Sequence, residues 1–164
     1  MKMTSFNLQL TQIAWVVKDI KAAERIFSET IGITNFSKTD VIRLKEFEGM
    51  HYDEPSDAES LVTMAYTGTT FLELIQPLSG QSIFQDYLDK NPSGGVHHIA
   101  YSTPVTNLDN IISEMANQGF PVVTSVNHPI ARIVFFDTSK DTGVFTEVMG
   151  ITEEGERIVE KMKG

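Results

Sequence analysis

Four polar side chains interrupt apolar, β-prone stretches of this 164-residue chain: Gln12 in QLTQIAWVV, Glu73 in FLELI, His98 in VHHIAYST and Glu147 in VFTEVM. A bare carboxylate amid apolar neighbours is costly unless it is paired or bound to a cation. One imidazole, two carboxylates and one amide oxygen make a hard-to-borderline donor set. Such a set suits an octahedral divalent ion, Zn, Ni, Co or Mn, with two positions open or water-filled. The two Glu charges cancel that of the ion, and either Glu could instead leave it and serve as a base.

Spacing brings the four together. The chain reads as strand (8–17), helix from Ile20 capped by Asp19 and stopped by Gly32, broken strand (33–47), polar loop (48–60) and a hairpin turning near Gly68 (61–77). A short helix (82–95) follows, and then the order restarts: strand 96–103, helix 107–119, strands 120–126, 131–138 and 143–150, and a C-terminal helix within 151–164. QIAW at 12–15 lies over HIAY at 98–101, an offset of 86, and Gly32 lies over Gly119, an offset of 87. Glu73 lies over Glu147 at the shorter offset of 74, because the first copy holds the acidic loop. An internal repeat outranks any single motif. The expected fold is α+β: one domain over 1–164, built of duplicated βαβββ modules (8–78 and 96–150) joined by a short linking helix (79–95). The modules form a curved mixed sheet around a metal-binding cavity, with their helices on the other face.

Strand side chains alternate between faces. Ile99 and Tyr101 are expected under a helix, which leaves His98 above small Ala100 and Ser102 on the cavity side. Gln12 is its counterpart in the first copy. Phe71 and Glu73, and Phe145, Glu147 and Met149, complete the inner face. Phe71, Phe145 and Met149 are candidate substrate contacts, and Arg132 is a candidate partner for a substrate carboxylate. His97 is expected to pack at the helix face or to hydrogen-bond at the strand mouth. His51, His128, Glu46 and Glu48 read as solvated loop and turn residues.

Bulk properties bound the function. The net charge of −9 repels phosphate backbones and argues against nucleic-acid binding. It also gives no help to a strongly anionic substrate. The lack of cysteine removes disulfides, thiolate metal sites and cysteine nucleophiles. The N-terminal stretch does not read as a signal peptide, and no run has the length of a membrane span, so a cytoplasmic protein is expected.

QIAWVVKDI, TFLELIQPL, GGVHHIAYST and DTGVFTEVMG together resemble the vicinal oxygen chelate superfamily over residues 8–150. That superfamily includes glyoxalase I, methylmalonyl-CoA epimerase, extradiol dioxygenases and antibiotic-resistance binding proteins. The segment from Glu73 through Tyr101 resembles the epimerase branch, while the ligand order Gln, Glu, His, Glu resembles glyoxalase I. The resemblance implies a homodimer acting on a small molecule. It also implies proton transfer next to the carbonyl of a thioester or hemithioacetal through a metal-stabilised enediolate. Glu147 would take the proton, and Glu73 or a metal-bound water would return it. Two alternatives stay open. One is a non-catalytic small-molecule binding protein of the same fold. The other is an extradiol-type dioxygenase, which needs a second His where Gln12 stands.

Overall fold

The computed structural model describes residues 6–164. Strand β1 (Gln9–Val16) leads to helix α1 (Ile20–Ile26), whose first turn is capped by the Asp19 carboxylate accepting from the Lys21 and Ala22 backbone N–H groups. A wider turn (Phe27–Ile31) extends the helix to Gly32, which ends it in the left-handed conformation. The first copy then supplies β2 (Asp40–Arg43), β3 (Met50–His51), β4 (Glu54–Pro55), β5 (Glu59–Tyr66) and β6 (Phe71–Ser79). Helix α2 (Ile83–Lys90) follows. The second copy runs β7 (Gly95–Pro104), α3 (Leu108–Asn117), β8 (Val122–His128), β9 (Ala131–Phe136), a one-turn α4 (Ser139–Thr142) and β10 (Phe145–Ile151). Helix α5 (Glu153–Met162) ends the chain.

All ten strands join one curled sheet in the order β2-β5-β6-β1-β7-β10-β9-β8-β3-β4. The duplication is written into the pairing. β1 runs parallel to β6 as β7 runs parallel to β10, and β1 and β7 meet antiparallel at the centre. Gln12 pairs with Phe71 and Ala14 with Glu73; in the second copy His98 pairs with Phe145 and Ala100 with Glu147.

On the outer face, α1 packs Ala23 and Phe27 with Trp15, Leu72 and Leu74, and α3 packs Leu108, Ile111 and Met115 with Val134, Phe136 and Val148. Ile99 and Tyr101 of β7, expected under a helix, belong to neither of these clusters and stay only half-buried. On the inner face α2 sets Phe84, Tyr87 and Leu88 against Ala14, Val16 and Ile75. The linking helix thus fills one end of the curled sheet rather than lying outside it.

The segment expected as a loop over 48–60 is different. Met50 and His51 pair with Ser125 and Thr124 of β8, so a piece of the first copy adds to the far edge of the second. A local reading of an acidic, Pro-containing stretch cannot supply a strand whose partner lies over 70 residues away. No helix among the described residues is long and apolar enough to cross a membrane.

Candidate metal centre

The register places Gln12, Glu73, His98 and Glu147 on four adjacent central strands, all with inward side chains. His98 Nε2 lies 2.9 Å from Glu147 Oε2 and 3.4 Å from Glu73 Oε2. Gln12 Nε2 donates to Glu73 Oε2 at 2.7 Å and more weakly to Glu147 Oε2 at 3.4 Å. Gln12, His98 and Glu147 are buried, and Glu73 is half-buried. All four come from one chain.

Electrostatics favour positive charge within the cluster. Two carboxylates face each other across a few ångströms in an apolar setting, which is unfavourable without positive charge between them. Burial works against charge on His98, but Glu147, and then Glu73, override it and push its pKa up to about 9. The protonated imidazole is therefore the cation of the metal-free site. Burial raises the Glu73 carboxyl above the usual range against the pull of His98, and Glu147 adds to the rise.

The same donors fit a divalent ion. Ligand atoms of Glu73, His98 and Glu147 all lie within 4.8 Å of one another. His98 offers a lone pair at Nε2 once its proton leaves, and the two carboxylates balance a charge of two. Gln12 now turns its amide N–H groups to the carboxylates. A half-turn of the amide would present Oε1 to an ion instead, since either orientation fits the same planar group.

A cavity of about 200 Å³ opens above the cluster. Phe71 and Met149 line it, as expected, with Met64, Ile133, Val159 and Met162. Sequence reasoning missed the last four. Val159 and Met162 sit on α5, whose apolar stripe was the available signal. His128 also lines the cavity and packs against Phe47 at 4.8 Å between ring centroids, rather than standing in solvent. Partial burial lowers its pKa.

Two expected substrate contacts lie elsewhere. Arg132 points to the outer face and pairs with Asp109 of α3 at 3.0 Å. Its alternation with Val134, itself packed under α3, dictates that side. Phe145 stacks flat on His97, with ring centroids 4.7 Å apart, and takes no part in the cavity wall. Glu48 accepts from Asn127 at 2.9 Å, Glu46 lies 3.8 Å from Arg43, and His51 lies 3.5 Å from Asp86.

Comparison with known proteins agrees with the fold. Residues 11–135 match the profile of the Glyoxalase/Bleomycin resistance protein/Dioxygenase superfamily. A protein of Cereibacter sphaeroides named ethylmalonyl-CoA/methylmalonyl-CoA epimerase is 30% identical over 93 residues, which cover 57% of this chain and 59% of that one. The mitochondrial methylmalonyl-CoA epimerase of Dictyostelium discoideum is 40% identical over 58 residues, 34% of this chain and 35% of the relative. The matches thus span less than two thirds of either relative's length. Among solved structures, methylmalonyl-CoA epimerase from Mycobacterium tuberculosis superposes with a TM-score of 0.63 at 18% identity, covering 91% of each chain.

Proposed function

Because the chain belongs to the glyoxalase/bleomycin resistance protein/dioxygenase superfamily, we propose that it is a metal-dependent proton-transfer enzyme, an epimerase or isomerase. It acts next to the carbonyl of a thioester or hemithioacetal. The observation that carries this reading is that two carboxylates, Glu73 and Glu147, each reach within 3.4 Å of one His98 nitrogen at the floor of an apolar cavity. Removing a proton from one position and returning it calls for a base and an acid held at a single point. The relatives named as epimerases lend support.

Gln12, Glu73, His98 and Glu147 would hold the ion. Zn, Ni, Co or Mn bound there supplies Lewis-acid polarisation of the carbonyl oxygen, which acidifies the adjacent C–H. Glu147, with its carboxylate at the cavity floor, takes that proton. Glu73, whose burial favours the protonated form, returns one. Phe71, Met149 and Met64 hold the acyl part against the two carboxyls, which exchange their protons with solvent between turnovers.

The test is wash-in of solvent deuterium. Metal-replete protein is incubated in D2O with methylmalonyl-CoA and, separately, with the hemithioacetal of methylglyoxal and glutathione. Exchange at the α carbon, lost in Glu147→Gln, is expected. Absence of exchange with both compounds would count heavily against the proposal.

One observation favours a second reading, a non-catalytic binding protein: the cavity wall is largely apolar. Metal content separates the two. A stoichiometric divalent ion supports the enzyme, and tight binding of an apolar ligand without any ion supports the binding protein. A dioxygenase ranks below both, since Gln12 occupies the place of its second His; oxygen uptake with a catechol would revive it. The homodimer implied by the superfamily is checked by light scattering.

A further inference from the structure

Beside His98 lies a second buried histidine that the proposed chemistry does not use. His97 is 1% exposed, and its Nδ1 is 2.9 Å from His98 Nδ1. Adjacent strand residues ordinarily point to opposite faces, so this contact needs a cause. The cause is a β-bulge. Pairing with β1 passes from Ala14↔His98 directly to Trp15↔Val96 and leaves His97 without a partner, which swings its side chain toward that of His98. The first copy carries a bulge at the equivalent place. Pairing there passes from Leu10↔Tyr101 to Gln12↔Ala100 and leaves out Thr11, which precedes Gln12 as His97 precedes His98. The Thr11 hydroxyl donates to Ser102 Oγ at 2.7 Å. Both copies therefore bulge just before a ligand position, and the second places a ring there that reaches the ligand.

The proton arrangement between the two rings follows from the other ends. His98 Nε2 faces Glu73 and Glu147. When it binds a metal ion, Nε2 must be bare, so the proton of the neutral ring sits on Nδ1. His98 Nδ1 is then the donor, and His97 Nδ1, 2.9 Å away, must be a bare acceptor. The surroundings hold His97 to that role. Its ring stacks on Phe145 with planes 10° apart and meets Phe84 and Tyr87 edge-on at 5.1 and 5.2 Å.

We propose that His97 is a positioning residue, whose bare Nδ1 accepts from His98 Nδ1–H, fixes the His98 ring and tautomer, and thereby raises the affinity of the four-residue site for a divalent ion. This goes beyond the proposed catalysis and needs no turnover to be tested. Outer partners of metal-binding histidines are typically worth about 10–100-fold in affinity. Zn and Co titrations of the full chain should show His97→Phe, which keeps a stacked ring but removes the acceptor, binding about 10–100-fold more weakly. His97→Asn, whose Oδ1 can replace the lost acceptor, should recover most of the loss, and the visible spectrum of the Co form should change in His97→Phe and return in His97→Asn. Wild-type affinity and an unchanged Co spectrum in His97→Phe would overturn the proposal. Long-range 15N–1H NMR on the unmodified protein tests it without any variant. With Zn bound, the proton is expected on His97 Nε2 and on His98 Nδ1. A proton on His97 Nδ1 would refute the assignment even if the variants failed to fold.

Discussion

Gln12 and His98 exchange places across the central strand pair: Gln12 stands opposite Ala100, and His98 stands opposite Ala14. The same exchange carries Glu73, beside Ala14, onto Glu147, beside Ala100. One structural position, used twice, thus supplies an amide and an imidazole, and a second position supplies both carboxylates. The small side chains of Ala14 and Ala100 leave the room in which the four longer ones meet.

Metal content should follow that pairing. One divalent ion per chain is expected by elemental analysis after loading and gel filtration. His98→Ala should weaken binding by more than the roughly 10–100-fold typical of an outer partner, because it removes a direct donor. Gln12→Ala should cost less, since the amide brings no charge to balance the ion. A His98→Ala chain that still retained one ion would exclude this centre.

Metal-free protein should be most stable near neutrality. The folded pKa of His98, about 9, lies above its ordinary 6.5. Its contribution is therefore complete below pH 6.5 and is lost as pH rises through 9. His97 has the opposite sign. Its folded pKa of about 3 lies below 6.5, so its contribution is present above pH 6.5 and is lost as pH falls toward 3. Each limb should amount to a few kcal/mol on the order-of-magnitude scale set by such shifts. Chemical denaturation at stepped pH in chelator measures both, and His98→Gln should remove the alkaline limb and also shrink the acid limb, because the charge on His98 helps to lower the His97 pKa.

Loading the site should expel a proton. The ion takes the Nε2 lone pair of a ring that is otherwise charged at pH 7.5, so uptake should release about one proton. Titration calorimetry in buffers of different ionisation enthalpy reads this number directly. The thermal midpoint should rise with free metal concentration and fall back on adding chelator. Metal uptake without proton release would show that His98 is not the group displaced.

Charge should govern which compounds enter. The two carboxylates already neutralise a divalent ion. Among the described residues, no Lys or Arg lines the cavity, and burial disfavours charge on His128. A substrate carboxylate placed there would be an uncompensated charge, which is unfavourable by several kcal/mol in such surroundings. Neutral α-hydroxycarbonyl or hemithioacetal compounds should therefore compete for the metal-loaded site better than malonyl-type acids of equal size. Displacement of a chromophoric ligand would rank them, and a preference for the acids would reverse the expectation.

Helix α5 should be sensitive to a single methyl group. A Cβ on Gly155 would collide with the Ile130 carbonyl oxygen, which already accepts from the Thr152 N–H at 3.0 Å and the Thr152 hydroxyl at 3.1 Å. Gly155→Ala should cost about 1–3 kcal/mol, as overpacking does. Because Val159 and Met162 wall the cavity, it should also weaken apolar-ligand binding while leaving metal affinity near wild type. Equal losses of both would mean that the damage reaches the sheet.

The repeat and the four converging side chains were legible because both depend on local β alternation and on residue offsets within the chain. What the sequence hid depends on register. A bulge shifts the pairing by one residue, and no local pattern announces it, so the reach of His97 toward His98 could not be read. Arg132 alternates with Val134, but whether Val134 faced a helix or the cavity rested on the position of α3. The strand at Met50 and His51 lies in polar sequence and exists because β8 offers an edge. Phe145 has the right parity for the cavity, yet the ring of His97 claims its face.

The crossing of residues 50–51 onto β8 has a dynamic consequence. The two copies share a seam at the centre of the sheet and a clasp at its rim, where Asn127 also holds Glu48. They cannot swing apart like the covers of a book without breaking backbone pairs on the clasped side. Helix α5, which walls the chamber through Val159 and Met162, belongs to neither the seam nor the clasp.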